Sequence, residues 1–152
     1  CAKKDPNSNF TGIEVYPSGI GQCLINANKY DLKNLRLFCN DAVDVLNKRI
    51  ANESLDVINI FFPDPWPKKR HHKRRLISED FIVLIKSKLR QNGLVHICTD
   101  WADYGRDISA LFESMKEFKP LEKFPKRLQT KFEKKGLAIG HSIHEFAFQL
   151  VL

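Results

Sequence analysis

Apolar positions recur along this chain in two alternating rhythms. Short runs rich in β-branched and aromatic residues, at 9–15, 35–39, 57–62 and 94–99, read as buried strands. Between them, Ile20, Cys23, Leu24 and Ala27 fall at i, i+3, i+4 and i+7, and Phe81, Leu84, Ile85 and Leu89 repeat helical spacing. Ser78 can cap the second of these helices, Glu79 and Asp80 suit its positive N-terminal end, and Asn92-Gly93 suits its C-terminal end. Ile108, Leu111, Phe112 and Met115 predict a further helix, and the basic, proline-interrupted stretch 116–135 reads as a loop. Residues 142–152 alternate, with Phe146, Phe148, Leu150 and Leu152 on one face, so a last strand closes the sheet. Strand and helix in alternation predict one α/β domain over 1–152, with a mostly parallel sheet and helices on both faces.

In such sheets ligands bind at the carboxyl ends of the strands, and here those ends are acidic. Glu14 lies near the end of the first strand, Asp41 follows the second, Asp64 the third and Asp100 the fourth. Four carboxylates on one edge suit a ligand rich in hydroxyls, amines or positive charge. Asp41, before Ala42-Val43-Asp44-Val45-Leu46, can equally cap a helix, and Asp100 can start a helical turn. Glu14 and Asp64 have no capping duty and are the stronger functional candidates.

Asp64 stands between Pro63 and Pro65. Proline ends a strand because it has no ladder donor, holds its own φ, and pushes the preceding residue to extended dihedrals, so this carboxylate is aimed by a stiff backbone. The string Lys68-Lys69-Arg70-His71-His72-Lys73-Arg74-Arg75 follows at once. Its six formal positive charges meet the single negative charge of Asp64, which accounts for most of the chain's net charge of +7. A polyanion such as nucleic acid is the partner this predicts. Cys1, Cys23, Cys39 and Cys98 show neither a disulfide framework nor zinc spacing, which fits a reducing cytoplasm. The adjacent His71 and His72, and the spaced His141 and His144, have no cysteine beside them, and no metal site is expected. No apolar run reaches the length that spans a bilayer.

The string Phe62-Pro63-Asp64-Pro65-Trp66, the basic run after it, Gly12-Ile13-Glu14-Val15, Thr99-Asp100-Trp101 and Thr130-Lys131-Phe132-Glu133 together resemble the TrmB-type tRNA (guanine-N7-)-methyltransferases, in that family's order. The resemblance implies a Rossmann-like class I fold with an antiparallel C-terminal strand, S-adenosylmethionine as cofactor, and methyl transfer to guanine N7 in the tRNA variable loop. It assigns Glu14, Asp41 and Asp64 to the methyl donor, with Asp64 as the catalytic acid. It assigns Lys68, Asp100, Thr130, Lys131, Phe132 and Glu133 to the substrate, and Arg70, His71, His72, Lys73, Arg74 and Arg75 to RNA. Trp66 or Trp101 can stack on a base or be buried.

One feature departs from the family pattern. No G-x-G-x-G precedes Glu14, and the Pro17-Ser18-Gly19-Ile20-Gly21 segment follows the acidic strand instead. The expectation is a catalytic domain without its first strand, a strand that would lie mid-sheet and whose loss exposes apolar neighbours. Two other readings stay open: a non-catalytic RNA-binding domain, and a nicotinamide-dependent oxidoreductase, in which the basic string has no role. Monomer and homodimer are both open.

Overall fold

Phe10–Glu14 (β1) and Leu35–Cys39 (β2) run parallel, registered from Phe10 against Leu35 to Glu14 against Cys39. The crossover between them is Pro17–Lys29 (α1), where the leading proline sacrifices nothing because first-turn N–H groups have no intrahelical partner. Ala42–Arg49 (α2) follows β2. These elements belong to Cys1–Ile50, the first of two compact units; the second is Ala51–Leu152. The computed structural model of the protein describes residues 2–151.

The second unit holds Leu55–Phe61 (β3), a 3-10 helix at Lys69–Arg74, Glu79–Lys88 (α3), Leu89–Thr99 (β4), Ala102–Ser114 (α4), Phe118–Pro120 (β5), Lys131–Ala138 (α5) and His144–Leu150 (β6). Its sheet has the order β3-β4-β6-β5; β3 and β4 are parallel, and β6 is antiparallel to both neighbours. Ile82, Ile85, Val95, Ile97 and Ile108 are wholly buried. Phe112 stacks face to face on Phe148 at 4.0 Å and meets Phe118 edge-on at 5.2 Å. Each such side chain contributes roughly 1.5–3 kcal/mol by leaving water.

The α/β architecture and the antiparallel last strand match the expectation, and four local readings need correction. Among the described residues the strands form two sheets rather than one, with β1 laddered to β2 alone and β3 to β4 alone; Val57 on β3 is 45% exposed. Asn92-Gly93 does not close α3, which ends at Lys88. Asn92, at φ 64°, instead sits where the β3–β4 register shifts, between the pairs Leu55–Leu89 and Val57–Leu94. The stretch 116–135 contains β5 and the start of α5. Phe62 does not extend β3: its N–H donates to the Cys98 carbonyl at 2.8 Å, but its φ of 54° turns the chain. Ser78 does cap α3, accepting from the Phe81 N–H, and the place of Leu152 in the last strand lies outside the described residues.

Candidate active site

In the first unit, Glu14 is the last residue of β1 and Asp41 follows the carboxyl end of β2 by two residues. Glu14 Oε1 accepts the Tyr16 N–H at 3.0 Å, and among the described residues Oε2 has no hydrogen-bond donor. A Cβ at Gly19 would stand 3.0 Å from Glu14 Cγ, so glycine there leaves this carboxylate its position. Asp41 takes the capping role: Oδ1 accepts from the N–H groups of Val43 (2.9 Å) and Asp44 (3.1 Å). An open depression of about 600 Å³ near the end of β2 is lined by Phe38, Cys39, Asn40, Asp44, Lys48 and Arg49.

In the second unit, β3 and β4 are adjacent and parallel and pair Phe61 with Cys98, so Asp64 follows the end of β3 by three residues and Asp100 the end of β4 by one. The Pro63-Asp64-Pro65 turn is flanked by two residues in left-handed backbone, Phe62 at φ 54° and Trp66 at φ 42°. Such conformations in bulky residues cost on the order of 1–3 kcal/mol each and persist only when the surroundings enforce them. Enforcement comes from Arg75, whose Nε donates to the Pro65 carbonyl at 2.9 Å while its guanidinium pairs with Asp103 at 2.9 Å and with Asp107. Arg75 also lies over the Tyr104 ring, whose hydroxyl accepts the Ile77 N–H at 2.9 Å. The Arg75 hydrogen bond holds the Asp103 carboxyl below its usual range, and burial pushes the Tyr104 hydroxyl up to about 12.

The basic string therefore divides. Lys68, Lys69, Arg70, Lys73 and Arg74 are exposed, with Arg74 5.0 Å over the Trp66 ring. His71 packs edge-on against Trp66, and His72 turns toward Asp103 at 3.6 Å. Arg75, expected to meet RNA, has a side chain only 3% exposed and is committed to two carboxylates, so it anchors the loop instead.

The segment at 130–133 also divides. Thr130 and Glu133 form a reciprocal capping box at the start of α5, while Lys131 and Phe132 project into solvent, Phe132 at 69% exposure. Glu133 is bound by Arg127, which also pairs with Glu145 at 3.0 Å; Glu145 in turn holds His96 at 2.7 Å. The Arg127 hydrogen bond depresses the Glu133 carboxyl. Burial pushes Glu145 the other way, but hydrogen bonds from Arg127 and His96 outweigh it and leave it lowered. Burial raises the neighbouring Cys98 thiol to about 12. Among the described residues, two clusters of metal-ligating side chains, His96-Cys98-Glu145 and His72-Asp103-Asp107, each have an arginine paired with their carboxylates. Sequence reading singled out neither Arg127 nor the anchoring role of Arg75. The Thr130-x-x-Glu133 spacing is a capping-box signature, a signal for α5 that the loop reading of 116–135 passed over.

Asp100 borders an open cleft of about 520 Å³, lined by Asp100, Trp101, Ala102, Asp103, Arg106, His141, Ser142 and His144. Among the described residues, no helix is long and apolar enough to cross a membrane.

Among solved structures, an rRNA methylase from Streptococcus thermophilus superposes with a TM-score of 0.58 at 11% identity, covering 95% of this chain and 74% of that one. A SAM-dependent O-methyltransferase from Thermotoga maritima gives 0.60 at 11% identity, covering 95% and 50%. The fold is thus that of the Rossmann-like methyltransferases. A family described as "Putative methyltransferase" matches residues 1–146. The tRNA (guanine-N(7)-)-methyltransferase of Salmonella typhimurium is 41% identical over 157 residues, covering 99% of this chain and 66% of its own length. Its counterpart in Halorhodospira halophila is 42% identical over 158 residues, covering 98% and 68%. The chain belongs to the tRNA (guanine-N(7)-)-methyltransferase family, and spans about two thirds of the length of these relatives.

Proposed function

We propose that the protein transfers a methyl group from S-adenosylmethionine to N7 of a guanine in the tRNA variable loop, in the cytoplasm, with both units serving one catalytic domain. The observation that carries this reading is the Asp64 carboxylate, held between two left-handed residues and continuous in the chain with an exposed cationic 3-10 helix. Reaction centre and polyanion contact are thereby coupled within one anchored loop.

Glu14 fits the donor: one carboxylate oxygen is fixed by Tyr16 and the other is free to accept from vicinal hydroxyls. Asp41, with Oδ1 committed to its helix, has Oδ2 left for the donor's adenine. When bound, S-adenosylmethionine supplies an electrophilic sulfonium methyl group. Guanine N7 has an in-plane lone pair and no proton, so no general base is required of the protein. Positioning and charge compensation remain, because neutral guanine becomes cationic as the methyl arrives. Asp64, which also borders the donor in this assignment, stabilises that developing charge, and Asp100 accepts from guanine N–H groups. Lys68, Lys131 and the exposed Phe132 contact the substrate, with Thr130 and Glu133 setting their helix in place. Arg70, Lys73 and Arg74 neutralise phosphates.

The test is incubation of the full-length protein with labelled donor and tRNA, followed by nucleoside analysis. N7-methylguanosine is expected; its absence from a folded preparation that still binds tRNA would favour an RNA-binding role without catalysis. In the same assay, Lys73→Ala and Arg74→Ala should each flatten the dependence of log binding constant on log salt by about one unit. Arg75→Ala should leave that slope unchanged and lower the unfolding temperature.

A further inference from the structure

Asp100 is held by a residue 41 positions away. His141 Nδ1 lies 3.0 Å from Asp100 Oδ2, and among the described residues Oδ1 accepts no hydrogen bond. An ionised carboxylate only accepts, so the contact requires the proton on Nδ1. The imidazole is fixed in turn: its ring meets Trp101 edge-on at 6.4 Å, and the His141 backbone N–H donates to the Gly136 carbonyl at 3.0 Å. Gly136 is buried in α5, and a Cβ there would stand 2.9 Å from Asp100 Oδ2, a separation that real Cβ atoms do not show. The close approach of α5 to Asp100 therefore depends on glycine. Asp100, Trp101 and His141 all line the same open cleft.

We propose that His141 is a positioning residue, which with Gly136 commits Asp100 Oδ2 to the protein and presents Oδ1 to the substrate base. This rests on Asp100 being a guanine-binding acid, as proposed above. A carboxylate with one tethered oxygen has one orientation to offer, and a planar base with N–H donors rewards a fixed acceptor more than a rotating one. His141 touches no reacting atom; its effect passes through Asp100.

Two measurements on the full-length protein decide this. Nitrogen-15 NMR of the histidine rings should show His141 with its proton on Nδ1, and Asp100→Ala should return it to the commoner Nε2–H form. A wild-type His141 already in the Nε2–H form overturns the proposal whatever the enzyme's activity. In single-turnover methylation, His141→Ala should lower the rate about 10- to 100-fold, with the apparent KM for tRNA within about threefold because phosphates dominate binding. His141→Asn places an amide N–H near the Nδ1 position and should recover most of the rate; His141→Gln, which mimics the other nitrogen, should not. An unchanged rate in His141→Ala, or equal rates in the asparagine and glutamine variants, overturns the proposal. A wild-type protein that yields no N7-methylguanosine counts against the guanine-N7 reading alone, and the NMR result then still decides the role of His141.

Discussion

Asp64→Asn is expected to slow methyl transfer by about 10²–10³-fold, the range seen when one preorganised electrostatic group is removed from a reaction centre. Asparagine keeps the shape and lacks the charge, so it tests compensation of the developing guanine cation separately from positioning. The variant should fold normally, because Asp64 is exposed and its carboxylate makes no hydrogen bond among the described residues. Its backbone stays clamped by Pro63, Pro65 and the Arg75 bond to the Pro65 carbonyl. Affinity for tRNA should change by less than about threefold, since the proposed function assigns that affinity to the cationic helix. Single-turnover rates and binding constants at fixed salt check both halves. Retention of the rate within tenfold would show that Asp64 is not the acid that matters.

The largest effect on stability is expected at Arg127. Its side chain and that of Glu133 are only 11% and 10% exposed, and it neutralises Glu133 and Glu145 together. Arg127→Met leaves two carboxylates in a poorly solvated place and should destabilise the protein by roughly 3 kcal/mol, the low end for breaking a buried pair. For a unit of this size that lowers the unfolding temperature by about 10–20 °C. Adding Glu133→Gln and Glu145→Gln to the same chain should recover part of the loss, because the uncompensated charges are gone. The pH dependence has a definite sign. Both glutamates titrate lower in the folded protein than unfolded, so their contribution is full above the usual glutamate value of about 4.3. It is lost as pH falls from there through the depressed folded values. Urea midpoints measured from about pH 6 down to about pH 3 should fall less steeply in Arg127→Met than in wild type.

Legibility in the sequence followed the range of the interaction. Ser78 was readable as the cap of α3, and Asp41 as a cap for α2, because a cap involves residues two or three positions apart. The strand at 35–39 was readable to the residue. Asn92-Gly93 misled, since its turn chemistry is the same whether it ends a helix or accommodates a register shift. Residues 116–135 read as loop because β5 is three residues long and α5, itself only eight residues long, runs on past 135. The basic string read as one RNA-facing surface, since charge alone does not say which guanidinium turns inward; Arg75 does, because Asp103 and Asp107 on α4 meet it.

The amino-acid sequence by itself determined the alternation of strands and helices, the acids at strand ends and the rigid turn that carries Asp64. Periodicity, capping and proline stiffness are local physics and act within a few residues. Tertiary structure alone decided that Arg127 gathers Glu133 and Glu145, that Arg75 locks the turn to α4, and that His141 faces Asp100 across 41 residues of chain. Those pairings depend on which strand ends the sheet brings together and on how closely α5 can approach through Gly136, and no local pattern encodes either.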